Sequence, residues 1–139
     1  MRILASTRRK INKDGSRSLN GIIYHRIAEP LRFMPDWVET DTFDNPGEVK
    51  HWNYDYLLFN RSLGFGIEGM TETEAQTDFI EQAKENGLKV IVDLDDYWEL
   101  PEHHTIRWRD DLDYEEWRNN ILVNLSHADY VWTSTEILK

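Results

Sequence analysis

Short apolar runs alternate with apolar positions at helical spacing along the 139 residues. Arg2–Ser6 reads as a first strand, followed by a polar, basic loop over 7–20. From Gly21 to about Phe33 the apolar residues Ile23, Ile27, Leu31 and Met34 recur on one helical face. Asn20 or Ser18 is the candidate cap, and Pro30 predicts a kink or a shortened helix. Trp37–Phe43 is a weaker second strand, Asn45-Pro46-Gly47 a turn, and Asp55–Asn60 a strong third strand. Gly64, Gly66 and Gly69 then mark a loop. Thr71–Asn86 carries a capping box (Thr71 with Glu74), an apolar face of Ala75, Phe79, Ile80 and Ala83, and a stop at Gly87. Leu88–Val92 is the fourth strand. A helix over Asp113–Ser126 turns Tyr114, Trp117, Ile121 and Leu125 inward, and Tyr130–Thr133 is the fifth strand. Glu136 to Lys139 begins one more helix.

Strands that alternate with helices imply βαβ units and a parallel sheet. The expected fold is a single three-layer α/β domain over 1–139 with a mostly parallel five-stranded sheet. Right-handed crossovers suggest the strand order 3-2-1-4-5. The final helix-like segment is short, so a further domain or a partner chain is expected to cover part of the sheet.

Composition narrows the possibilities. The net charge of −10 argues against nucleic acid or an anionic membrane as partner. The absence of Cys removes disulfides, thiolate metal sites and cysteine nucleophiles. The first residues have no signal-peptide pattern, and no stretch reaches the roughly 20 apolar residues of a membrane span. The expected location is the cytoplasm. Six Trp, six Tyr and five Phe are ample to fill a core.

Charge is also unevenly placed. Arg8, Arg9, Lys10, Lys13 and Arg17 crowd the first loop, whereas residues 93–116 hold ten acids against Arg107 and Arg109. The apolar run Val90-Ile91-Val92 ends abruptly in Asp93, Asp95 and Asp96. Charges cannot enter a sheet interior without a large desolvation cost, so these carboxylates belong at the strand's carboxyl end, where α/β proteins bind ligands. In the order 3-2-1-4-5 the switch point lies between strands one and four, with the basic loop facing the acidic segment. Gly15, Ser16, Arg17 and Gly21, with Arg8, Arg9 and Lys13, are candidate phosphate binders at the start of the first helix. Asp-Gly-Ser is equally an ordinary turn. His25 and Arg26 lie on the crevice rim, and Tyr97 and Trp98 can stack on a sugar ring or base. Asp93-Leu94-Asp95 has a spacing that suits Mg²⁺ or Mn²⁺, with Glu102, His103 and His104 as further ligands. A hydrated strand end is the simpler reading, and no metal or tightly bound cofactor is expected.

Two families resemble this pattern. Val90-Ile91-Val92-Asp93-Leu94-Asp95-Asp96 is similar to the first motif of haloacid-dehalogenase-type phosphatases, with its nucleophilic and acid/base aspartates. Tyr97 departs from that motif, which also belongs on a first strand. The amino-terminal, Rossmann-like half of GT-B-fold glycosyltransferases is matched along nearly the whole chain. Gly21-Ile22-Ile23-Tyr24-His25-Arg26 resembles its Gly-x-x-Tyr-x-Arg helix start. Tyr56–Arg61, Ala83–Gly87 and Lys89–Asp96 follow in the family's order, and Ala128-Asp129-Tyr130-Val131-Trp132-Thr133-Ser134-Thr135 resembles its closing strand. The resemblance implies an acceptor-side half. With a donor-binding half supplied elsewhere, it would transfer a sugar from a nucleotide-sugar donor to an acceptor hydroxyl. Asp93, Asp95 or His25 would then be the base, and Arg17 with the Gly15–Gly21 loop would face the diphosphate. The alternative is a non-catalytic binding or assembly module that reuses the half-fold.

Overall fold

The computed structural model describes residues 1–11, 14–19, 21–95, 99–108 and 113–133. The side chains of Lys10, Ile11, Arg17 and Ile106 lie outside that description. Five strands form one all-parallel sheet: β1 (Arg2–Ser6), β2 (Glu39–Phe43), β3 (Tyr56–Asn60), β4 (Lys89–Leu94) and β5 (Tyr130–Thr133). Helix α1 (residues 21–32) packs on one face; α2 (Glu72–Glu85) and α3 (Tyr114–His127) pack on the other. The fold is therefore the three-layer, Rossmann-like α/β arrangement expected.

The strand order is β2-β1-β3-β4-β5 rather than 3-2-1-4-5. The third strand lies between the first and the fourth instead of at the far edge. The reason lies in residues 44–55, which carry the chain from β2 past β1 without a full helix. Only a short turn at Pro46–Glu48 is regular there. Val49, Trp52 and Tyr54 pack on the sheet face that a crossover helix would cover.

Alternation along the strands sorts the core. Leu4, Leu57, Phe59, Val90 and Val92 face α2 and α3, where Phe79 meets Phe43, Trp52 and Phe65 at ring-centroid distances of 5.3, 5.1 and 5.5 Å. Ile3, Ala5 and Leu58 face Ile23, Ile27 and Leu31 of α1. Further along that face Ile91 is half-buried, and its cross-strand partner Tyr130, like Trp132, is exposed. The expected helix beyond Glu136 lies outside the described residues.

The first loop holds more structure than its polar sequence suggests. Arg9–Ile11 and Arg17–Leu19 pair as a short antiparallel hairpin. Helix α1 consists of α-helical Gly21–Ile23, a π-helical turn over Tyr24–Ala28 and α-helical Glu29–Arg32. In the π turn the Glu29 N–H reaches the Tyr24 carbonyl, five residues back. Pro30 has no N–H for the ladder, and in an ordinary α turn its ring would clash with the carbonyl of Arg26. The wider turn relieves that conflict, so the helix is bulged, in place of the kink or shortening that Pro30 predicts. Thr71 caps α2 through a reciprocal box with Glu74, as its sequence predicts, and Asp113 caps α3 by accepting from the Glu116 N–H.

Candidate functional site

Because every strand of the sheet is parallel, the ends of β1, β3 and β4 open at one pole. With β3 beside β1, the switch point lies between β1 and β3, not between the first and fourth strands as the order 3-2-1-4-5 implies. The carboxylates of β4 sit one strand further on.

Asp93 is fully paired with β3 at the level of Asn60 and only 1% exposed. Desolvating a carboxylate this far requires compensation, and α1 supplies it. Arg26 donates to Asp93 with both Nε, at 3.0 Å, and Nη2. The π turn therefore delivers a bidentate guanidinium onto the buried carboxylate, a geometry in which Arg is not replaceable by Lys. That bond holds the Arg26 guanidinium above its ordinary pKa against its own partial burial.

A second pair lies alongside. Arg61 donates to Asp95 through Nε at 2.7 Å and Nη2 at 3.0 Å. Asn60 joins the two pairs, its Nδ2 donating to Asp93 Oδ2 at 2.8 Å and to Asp95 Oδ1 at 2.9 Å. Partial burial pushes the Asp95 carboxyl up. The bonds from Arg61 and Asn60, with the charge of Arg61, outweigh that and hold it below the ordinary carboxylate value.

Arg61 reaches this position through unusual backbone. Its φ is +54°, the left-handed region that costs a side-chain-bearing residue about 1–2 kcal/mol. The Ser62 N–H closes a tight turn on the Asn60 carbonyl at 2.6 Å, and the Arg61 N–H bonds the Asp93 carbonyl at 2.9 Å. Strain of this kind persists where surrounding contacts fix it, commonly at functional sites.

The switch point itself is occupied by Arg8, whose guanidinium lies so close over Gly64 that a Cβ there would overlap it. Gly64 has φ +63°, so both the backbone and the close approach call for glycine. Arg8 has no hydrogen bond or ion pair among the described residues. Its neighbour Arg9 is held by Asp44 at 3.5 Å, and Thr7 Oγ1 donates to the same carboxylate at 3.1 Å.

The other candidates from the sequence are dispersed. His25 lies in the π turn, its Nδ1 3.1 Å from Glu29 Oε2 and its side chain 70% exposed. Gly15, at φ +79°, and Ser16 form the hairpin tip, where Ser16 donates to Asp14 through N at 3.0 Å and Oγ at 2.6 Å. These are the contacts of an ordinary Asx-type turn. Arg17 is in the second hairpin strand, and Gly21 opens α1 where an added Cβ would meet none of the described residues. Asp96, Tyr97 and Trp98 lie outside the described residues. Among the described residues no group of three His, Asp or Glu side chains is placed to hold a metal, and no helix is long and apolar enough to cross a membrane.

The structure thus joins Asp93, Asp95 and Arg26 and adds Asn60, Arg61 and Gly64. The signal for Asn60 was present in the sequence: it follows the apolar run Tyr56–Phe59 at the offset that Asp93 has from Val90–Val92, and Arg61 comes directly after it. Comparison with family models, curated proteins and solved structures gives no match for this chain.

Proposed function

We propose that this chain is the acceptor-side α/β domain of a nucleotide-sugar-dependent glycosyltransferase. The observation that carries the reading is that one pole of the sheet carries both an arginine without a carboxylate partner among the described residues and an exposed imidazole backed by a carboxylate. Sugar transfer needs both kinds of group: positive charge for the leaving diphosphate and a base for the acceptor hydroxyl. Arg8, over Gly64 at the switch point, supplies the charge. His25 supplies the base through Nε2, since Glu29 engages Nδ1 and the side chain is exposed. Asp93 and Asp95 are positioning residues in this scheme, because each accepts from an arginine and from Asn60. The Asp93 pair anchors the π turn that carries His25. In the reaction the acceptor oxygen loses its proton to Nε2 and forms the bond to the anomeric carbon. The carbon–oxygen bond to the diphosphate breaks, and its charge is neutralised beside Arg8.

A second reading, a non-catalytic binding module, is favoured by the same ion pairs, which leave neither Asp93 nor Asp95 free. A phosphatase reading finds less support, since Asp93 has both oxygens bonded and is almost fully buried.

The test is release of nucleoside diphosphate from a panel of nucleotide sugars, measured with the chain in its full-length gene product. The expected result is turnover that His25→Ala abolishes and Arg8→Ala weakens, with folding intact in both. Turnover unaffected by both substitutions overturns the assignment. Mg²⁺-dependent phosphate-ester hydrolysis lost in Asp93→Asn would replace it with the phosphatase reading.

A further inference from the structure

Described residues between β4 and α3, with the first residues of α3, line a surface cavity of about 590 Å³ that the site above does not use. It is lined by Glu102, Arg107, Trp108, Asp113, Tyr114 and Glu115. The volume falls within the range typical of small-ligand sites. Its walls are fixed by bonds among the lining and neighbouring residues. Trp108 is 74% exposed, yet its indole N–H donates to the Glu102 carbonyl at 2.8 Å, which sets the ring's orientation. Arg107 lies over the Tyr114 ring at 4.6 Å, donates to the Leu100 carbonyl at 3.0 Å and approaches Glu115 at 3.5 Å. The Tyr114 hydroxyl accepts from the Leu100 N–H at 2.8 Å. The Glu102 carboxylate has no partner among the described residues.

We propose that this cavity binds a pyranose ring. An oriented, exposed indole offers a flat apolar face to the C–H side of a sugar, as aromatic residues do at surfaces that are part apolar and part wet. The equatorial hydroxyls need acceptors at the edge of that face; the Glu102 carboxylate and the Asp113 oxygen that does not cap α3 provide them as charge-assisted bonds. Arg107, with N–H groups left over from its two fixed contacts, donates to ring or hydroxyl oxygens. The segment leaves the carboxyl end of β4, so the ring is held at the same pole as Arg26 and Arg61. Binding stands on the cavity's own chemistry; naming the bound ring as the acceptor rests on the transferase reading.

The test follows Trp indole resonances by NMR in the intact chain, titrated with methyl glucopyranoside and methyl galactopyranoside. Cyclohexylmethanol is the control, a ring of similar size without the hydroxyl pattern. The expected result is that a pyranoside shifts the indole signal that is missing in Trp108→Ala. That variant should bind about tenfold more weakly, Trp108→Phe should retain part of the affinity, and Glu102→Gln should weaken binding with Trp108 unchanged. Trp37→Ala, an exposed tryptophan before β2 at the other pole, should bind as the parent does. Equal shifts from cyclohexylmethanol, equal effects of the Trp108 and Trp37 variants, or no pyranoside response each overturn the proposal. Circular dichroism checks that the Trp108 variants fold, as its exposure predicts. Since this readout needs no turnover, pyranoside binding without any sugar transfer would keep the cavity and remove the transferase.

Discussion

Replacing Asp93 with Asn removes one charge from the buried pair while keeping the shape of the side chain. Breaking a buried ion pair costs about 3–5 kcal/mol when the surviving charge is fully enclosed. Here the survivor is Arg26, whose side chain is 25% exposed, so water can recover part of its solvation. The new amide also turns an N–H₂ toward either Arg26 or Asn60, both donors. The expected loss is about 2–3 kcal/mol, which for a chain of this size lowers the melting temperature by about 6–12 °C. The reciprocal change, Arg26→Met, strands a carboxylate that is 1% exposed and should cost more, about 3–5 kcal/mol. In the double variant neither charge is left alone, so its cost should fall below the sum of the two by at least about 1.5 kcal/mol. Urea denaturation followed by circular dichroism measures all four proteins. Additive losses of less than about 0.5 kcal/mol each would refute the reasoning, because they would match two exposed, independent side chains.

Three further outcomes follow from the same geometry. Arg61→Gly and Arg61→Ala both lose the Asp95 bond, but only Gly is at ease at φ +54°, so the Gly variant should be the more stable by about 1 kcal/mol in urea denaturation. Gly64→Ala should cost about 1 kcal/mol for the left-handed backbone and displace the Arg8 guanidinium; in an Arg8→Ala background the overlap vanishes and only the backbone cost remains. Asp129 is held below its ordinary value by the bond from the Val90 N–H, with Lys84 and Lys89 adding to it against burial, and Asp95 is lowered as described above. Lowered carboxyls bind protons more weakly folded than unfolded. Their stabilisation is therefore present above the unfolded value near pH 4 and lost as pH falls through the folded values, so Asp129→Asn should flatten the acid limb of stability against pH.

Local order was written plainly in this sequence, and long-range order was not. The capping box of Thr71 and Glu74 fixes where α2 starts because cap and helix are covalent neighbours. The carboxylates after Val92 suggest a strand that stops there, yet β4 runs on to Leu94 and takes Asp93 into the sheet, because Arg26 and Asn60 compensate the buried charge. Strand order is different, since 3-2-1-4-5 and 2-1-3-4-5 both allow right-handed crossovers. What selects between them is the packing of Val49, Trp52 and Tyr54 over the sheet, in a stretch with no helical period to reveal it. For the same reason Arg26 was visible as a helix residue but not as the partner of Asp93, 67 positions away. The left-handed backbone at Arg61 leaves no trace in sequence, because arginine is not a residue that favours it.

The central claim is that ligands meet this domain where β1, β3 and β4 end. Amide and side-chain chemical shifts, recorded as a nucleotide sugar and then a methyl pyranoside are added, test it most directly. The account predicts perturbations at Arg8, Gly64, His25 and Arg26 with the nucleotide sugar, and at Arg107 and Trp108 with the pyranoside. Shifts confined to the opposite pole, around Phe33 and Trp37, would contradict it.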